Sequence, residues 1–564
     1  MTTNPSPSSI ASPRRPSLRL GAAVVALFWL ACYILPLGIR PLLRPDEFRY
    51  AEIPREMAES GDFFHPRLIG MPYYEKPPLG YQAIALSMRL FGENAFALRL
   101  PSALASGIAA AMVFLLLAAR TDDRRLPPLA AGCYLAGGLA YGVGTFAVLD
   151  APLTAALTAA MAFLYLSDTA RSRRAALLWM ALAGAAAGVA FLVKGFLGLV
   201  IPAIVLFPYA LWQRRFLALL RNAWAALLAL LLVAVPPSVV LHLHAPGFWR
   251  YFILVEHFAR FTSATGDKNP QPFWFFVPPM LLGPLPPVLL FLATRAAWTR
   301  AFFRNPLVRF ALCWCWMPFF FFSASSCKLG TYILPCFPAL SILLAHAFCA
   351  AVDVAPDAVC RAVRRIFFGL GCFFLAIAIA GAVFFALRPA GLNGPFWALL
   401  VLVLLALFAG ALIAAARRSL PPARLFVLYL AGFAVCLPPA LKALDGGILA
   451  ESAPERDFRT ALARFPVAPD DVLVSDTHSF QTVAWTLRRN DLHLIGTGGE
   501  LKYAIANDPA CAARHVTDFP AFLAATTPGK RVRISCEGPD RLRLPPDIDV
   551  VDQWITPTVC LVRF

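Results

Sequence analysis

Stretches of about 20 mostly apolar residues recur along most of the chain, and that feature decides its solvent. Gly21 to Leu37, Leu100 to Ala118, Ala223 to Leu241, Ile366 to Leu387 and Phe396 to Ala416 each reach or approach the length a helix needs to cross hydrocarbon. Of the 564 residues 59% are hydrophobic and 15% charged, whereas apolar residues make up about half of a soluble domain. Hydropathy predicts about thirteen spans, near 19–37, 100–119, 127–146, 150–167, 175–193, 195–212, 222–241, 273–294, 307–323, 330–352, 365–387, 395–416 and 424–443. The first follows Arg14, Arg15 and Arg19, but no small-residue cleavage motif comes after it, so it reads as a retained anchor.

A net charge of +18 could suggest nucleic acid, but the placement of the cations excludes that reading. Arg120, Arg124 and Arg125, then Arg171, Arg173 and Arg174, then Arg214, Arg215 and Arg221 occupy alternate connections. Arg295 to Arg309, Arg361 to Arg365 and Arg417 to Arg424 continue the pattern on the same side. The opposite connections hold few cations, chiefly Lys194, Lys328 and Arg388. By the positive-inside rule the arginine-rich loops are cytoplasmic, which puts two long loops, about 38–99 and 242–272, and the carboxy-terminal region outside. Most of the thirteen cysteines fall inside spans without metal-ligand spacing. Cys511, Cys536 and Cys560 lie in the outward tail, where one disulfide is chemically feasible.

Three regions follow: a Ser/Pro-rich tail at 1–17 read as disordered, a transmembrane domain at 18–444, and an outward α/β domain at 445–564. In the last, Phe458 to Phe465 reads as a helix; Val472 to Ser475, Asp491 to Gly496, Arg531 to Ser535, Asp549 to Trp554 and Val559 to Phe564 read as strands. In the first outward loop, Pro45 to Ser60 reads as an interfacial helix with Phe48, Ile53 and Met57 on its apolar side, a kink at Pro54 and Gly61 as its stop. The second outward loop is rich in binding-type side chains: His242, His244, Trp249, Tyr251, Glu256, His257, Arg260 and Lys268.

The densest chemistry lies in Arg44-Pro-Asp-Glu-Phe-Arg-Tyr. Asp46 and Arg49, three apart on a helix, share a face, so an acid and a cation are held together beside the membrane. Ordinary juxtamembrane charge would explain this, but a second polar cluster, Tyr73-Tyr-Glu-Lys-Pro-Pro, lies in the same loop, and a lone acid, Asp150, stands between two spans. Asp150 could cap a helix; an acid this close to hydrocarbon is also a functional candidate. Lys76, Lys194 and Lys328, gathered at one outer surface, suit a phosphate, with snorkelling as the plain alternative. Glu75 and His257 are the candidates for a divalent metal ion. No phosphate-binding loop or dinucleotide fingerprint occurs, and no cytoplasmic loop is long enough for a nucleotide-sugar site. A transferase working outside would therefore need a donor that crosses with the membrane, such as a polyprenyl-phosphate sugar.

The run Arg44-Pro-Asp-Glu-Phe-Arg-Tyr-Ala-Glu-Ile-Pro-Arg-Glu-Met, then Tyr74-Glu-Lys-Pro-Pro-Leu and Ala97-Leu-Arg-Leu-Pro-Ser, resembles the bacterial lipid A aminoarabinose transferases. These are C-type membrane glycosyltransferases related to protein O-mannosyltransferases. The similarity continues through Leu149-Asp-Ala-Pro, Val193-Lys-Gly and Ser326-Cys-Lys-Leu-Gly-Thr-Tyr-Ile-Leu-Pro, in order, across most of the membrane part. The resemblance implies transfer of 4-amino-4-deoxy-L-arabinose from undecaprenyl phosphate to a phosphate of lipid A, with inversion, at the periplasmic face of the bacterial inner membrane, giving polymyxin resistance. It implies Asp46 and Asp150 as the catalytic acids and Arg49, Lys76, Lys194, Lys328 and Tyr332 as substrate- or phosphate-binding residues. Glu75 and His257 match other cavity positions, and the family's periplasmic α/β domain matches the tail. Two other readings stay open: a relative moving galacturonate or mannose, and a transporter of lipid-linked sugars. Rim placement of the charges and the large outward domain favour an enzyme over a transporter.

Overall fold

The chain folds into a helical bundle carrying a mixed α/β domain at the end where its two long loops lie. The computed structural model describes residues 17–259, 270–387, 395–444, 449, 452–538 and 548–564; the tail at 1–16 and Arg260, Lys268 and Arg388 lie outside them. Among the described residues nine helices are each long and apolar enough to cross a bilayer, and two bent pairs bring the number to eleven. The remaining two of the thirteen expected segments are shorter apolar helices, Leu18–Ile34 and Leu197–Trp212.

The bent pairs explain each other. Leu126–Leu135 and Gly138–Gly144 meet at 65°, and Phe273–Leu282 and Pro287–Ala293 at 83°. Each break frees backbone groups that lipid cannot satisfy. The two breaks lie side by side, so the Gly138 amide donates to Leu285 O at 3.0 Å and the Leu139 amide to Gly283 O at 2.8 Å. Elsewhere small residues bring helices close. A Cβ on Gly184 would lie 1.9 Å from Ala226 O, so Arg173–Lys194 and Phe216–His244 pack almost backbone to backbone. Pro356–Leu387, Phe396–Arg417 and Pro422–Leu444 pack in sequence and leave most of their apolar surface uncovered, as lipid-facing helices do.

The first-loop helix forms over Asp46–Ser60, and Gly61 ends it with φ +71°, as expected. Its setting is different from the interfacial one predicted. Ten of its residues, from Glu47 to Met57, are buried on every side, because the C-terminal domain covers the face that would otherwise meet water. Arg55 Nη2 donates to Asn490 Oδ1 at 2.5 Å, and Arg514 Nη1 to Ile69 O at 2.9 Å.

The C-terminal domain has a six-stranded sheet: β1 Val472–Asp476, β2 His493–Ile495, β3 His515–Val516, β4 Arg531–Ser535, β5 Asp552–Ile555 and β6 Cys560–Arg563, in the order β3-β2-β1-β4-β6-β5. The first four strands run parallel, and β6 and β5 add an antiparallel edge. The predicted helix forms at Glu455–Arg464; β3, only two residues long, was not expected. All thirteen cysteines are free thiols, so Cys511, Cys536 and Cys560 form no disulfide and instead pack as small buried side chains.

Candidate functional site

Asp46 and Glu47 are neighbours in sequence, but consecutive helical residues point about 100° apart. The Glu47 side chain is 0% exposed. Arg99 donates to its two oxygens at 2.7 and 2.8 Å, Arg40 at 2.8 and 3.2 Å, and the amides of Leu43 and Ala147 at 3.0 and 3.2 Å. Burial pushes this carboxyl up, but Arg99 and then Arg40 outweigh it and hold it at about 2. Glu47 is thus a permanent anion that clamps the first loop to the bundle. Sequence reasoning passed over it; its signal was Arg99, a cation inside an apolar run.

The Asp46 side chain is 42% exposed and pairs with Arg49, as the three-residue spacing predicts. Arg49 also pairs with Glu500 of the C-terminal domain and lies 5.2 Å from the Tyr50 ring centre. Tyr50 stacks on Tyr81 at 5.4 Å, Tyr81 meets Tyr73 edge-on, and the Tyr73 hydroxyl donates to Glu75 Oε2 at 3.1 Å. Burial and then Tyr81 push the Tyr50 hydroxyl above its ordinary range; Arg49 opposes this, while Asp46 and Asp150 add to it. Both candidate acids therefore lie within electrostatic reach of one hydroxyl.

Asp150 begins the helix Asp150–Asp168 but does not cap it: the cap position is Leu149, with no side-chain bond. Its carboxylate accepts from Lys194 Nζ at 2.8 Å instead. Lys194 in turn lies 4.6 Å from the centre of the Tyr332 ring, a cation–π contact. Lys194 and Tyr332 line a cavity of about 390 Å³ together with Glu75, Lys76, Glu256 and His257; Phe196, Leu197, Val200, Phe252, Phe321 and Phe322 supply apolar wall. Lys76 Nζ stands 3.9 Å from both Glu75 Oε2 and Glu256 Oε2. Charged heads beside a long apolar wall suit an amphiphile whose polar group continues into hydrocarbon.

Lys328 is buried next to Cys327 of the cavity lining, and its ammonium donates to Gln271 O at 2.8 Å and Ser325 O at 2.5 Å, which ties two backbone segments together. Glu75 and His257 both line the cavity. Phe252 O can only accept, so His257 Nδ1 carries the proton and donates to it at 2.9 Å; Nε2 then accepts from the Phe196 amide at 3.4 Å. Among the described residues no group of three or more His, Cys, Asp and Glu is arranged to hold a metal ion. Glu256, one of the binding-type residues of the second loop, takes its place in the cavity, and Glu500 is an addition visible only once distant segments meet.

The dolichyl-phosphate-mannose-protein mannosyltransferase family model matches residues 18–252. The chain is 37% identical to the undecaprenyl phosphate-α-4-amino-4-deoxy-L-arabinose arabinosyl transferase of Aeromonas salmonicida, over 90% of this chain and 92% of that one. It is 34% identical to the protein of the same name from Pseudomonas aeruginosa, over 84% and 85%. The crystal structure of ArnT from Cupriavidus metallidurans bound to undecaprenyl phosphate superimposes with a TM-score of 0.79 at 26% identity, covering 97% of each chain.

Proposed function

This chain belongs to the undecaprenyl phosphate-α-4-amino-4-deoxy-L-arabinose arabinosyl transferases, polytopic C-type membrane glycosyltransferases, and we propose that it modifies lipid A. It takes 4-amino-4-deoxy-L-arabinose from undecaprenyl phosphate and passes it to a lipid A phosphate at the periplasmic face of the inner membrane, which protects against polymyxin. The observation that carries this reading is the Lys194 ammonium, fixed by Asp150 at 2.8 Å and by the Tyr332 face, on the wall of a cavity otherwise lined largely by aromatic and aliphatic groups. Such a cavity accepts a prenyl phosphate head-on, with the phosphate at the ammonium and the chain along the phenylalanines.

In the transfer, an oxygen of the acceptor phosphate attacks the anomeric carbon from the face opposite the donor phosphate. The bond from that carbon to the undecaprenyl phosphate oxygen breaks, and its electron pair leaves with undecaprenyl phosphate, so the configuration inverts. The acceptor phosphate is already anionic near neutral pH, so no base has to remove a proton from it. Lys194 and Lys76 offset the charge that gathers on the departing phosphate. Asp46, held by Arg49 and open to solvent on one side, stabilises the positive charge that develops on the sugar.

The test is mass spectrometry of lipid A from a polymyxin-sensitive host that makes the undecaprenyl donor but lacks its own transferase. Expression of this chain adds the mass of one aminoarabinose, and Asp46→Asn abolishes the addition while membrane insertion is kept. Normal turnover by Asp46→Asn would sink the assignment of that residue; addition of a different mass would change the sugar and keep the enzyme class.

A further inference from the structure

The C-terminal domain touches the loops around the cavity at a second point, close after Glu500. Tyr503 enters a small aromatic cluster that is separate from the main core. Its ring centre lies 4.7 Å from that of Tyr74, in the first loop, and 4.7 Å from that of Tyr251, in the second. Phe248 and Phe252 are buried in the same cluster. The fit depends on Gly247, where a Cβ would lie 1.9 Å from the Tyr503 hydroxyl oxygen, so a side chain there would push the ring out.

Each tyrosine gripped in this way lies just before a cavity residue. Lys76 follows Tyr74 by two positions and Glu256 follows Tyr251 by five. The Lys76 ammonium and the Glu256 carboxylate face each other at 3.9 Å. Phe252 belongs both to the aromatic cluster and to the cavity wall, and its carbonyl takes the His257 Nδ1 proton. One ring of the C-terminal domain therefore touches both loops, which also meet directly where Tyr74 packs edge-on against Phe248 at 5.5 Å. Small misplacements of binding groups are costly, because the bound geometry no longer matches the reacting one.

We infer that Tyr503 is a positioning residue for the donor site: by latching Tyr74 to Tyr251 it holds Lys76 and Glu256 at their working separation. The inference rests on the donor reading above. It is tested on the full-length protein in detergent, with undecaprenyl phosphate as the probe and with hydrogen exchange of the Phe248–Ala259 amides as a readout that needs no ligand. Tyr503→Ala is expected to weaken undecaprenyl phosphate binding about tenfold, the scale of losing two aromatic contacts. It should raise KM for the sugar donor more than it lowers kcat, and speed exchange over Phe248–Ala259. Tyr503→Phe, which keeps the ring, should restore all three, which separates loss of the latch from misfolding. In a Lys76→Ala background, Tyr503→Ala should cost less affinity than in the wild type, because part of its effect passes through that lysine. Unchanged binding by Tyr503→Ala, or losses that simply add with those of Lys76→Ala, would overturn the inference alone. Wild-type protein that binds no undecaprenyl phosphate would overturn the donor reading as well.

Discussion

Lys194 and Asp150 form a buried ion pair at 2.8 Å, and the proposed phosphate role of Lys194 makes it testable at the scale of a residue. Removing either partner strands a buried charge, which costs about 3–5 kcal/mol. Lys194→Met should therefore lower the unfolding temperature in detergent, and Asp150→Asn combined with Lys194→Met should recover much of it. Neither variant should recover transfer, since the phosphate partner is gone; a double variant with wild-type turnover would refute the role of Lys194. Tyr332 offers a finer test, because a face-on ring contributes about 0.5–2 kcal/mol to holding an ammonium. Tyr332→Phe should keep most of the affinity for undecaprenyl phosphate and Tyr332→Leu should lose several-fold, measured by titration. Glu47 makes the pH prediction. Its folded carboxyl sits at about 2, below the ordinary 4.5, so its contribution to stability is complete above about 4.5 and is lost as pH falls toward 2. Thermal unfolding of the wild type should fall over that window, and Glu47→Gln should be much less stable at neutral pH and show a weaker fall.

At the scale of elements, close packing decides what can change. Helix Arg173–Lys194 ends at the cavity with Lys194, and Gly184 sets how near it lies to Phe216–His244. Gly184→Val would drive a methyl into a backbone carbonyl, a clash that only separation of the helices can relieve. It is expected to reduce folded yield in membranes and to weaken undecaprenyl phosphate binding, because Lys194 moves with its helix. Gly184→Ala, a smaller clash, should lie between; a fully active Gly184→Val protein would show that the close approach does not position the site. The break at 283–286 is a comparable joint: its Gly283 and Leu285 carbonyls accept from the Leu139 and Gly138 amides of the other bent pair, so the two breaks support each other.

At the scale of the whole molecule, charged pairs join the first long loop to the C-terminal domain. Arg49 is paired both within its own helix and with Glu500 of the C-terminal domain; Arg44 pairs with Glu537 at 3.3 Å; Glu93 pairs with Arg488. These contacts fasten the domain to the first long loop. The arginine pattern predicts an orientation that can be measured directly. In a background whose native cysteines are replaced, Lys502→Cys in intact spheroplasts should react with a membrane-impermeant maleimide, whereas Arg173→Cys should react only after lysis. The reverse pattern would put the site in the cytoplasm and remove the need for a lipid-carried donor.

Much of this arrangement is written locally. A span is legible because hydrocarbon requires about 20 apolar residues in a row; the helix to Ser60 is legible because Gly61 stops it, and the Asp46–Arg49 pair because three residues make almost one turn. The same local rules could not say which of two adjacent acids faces the open side. They could not show that Lys194 would find Asp150, 44 residues away, or that Lys328, alike in sequence, would be spent on backbone carbonyls. They missed the burial of the first-loop helix because its cover comes from a domain some 400 residues later. The sequence by itself determined the solvent, the spans, the small α/β domain and the residues able to act. Only the tertiary structure decided which of them share a cavity, because a charged side chain takes its role from the partners that long-range packing brings within a few ångströms.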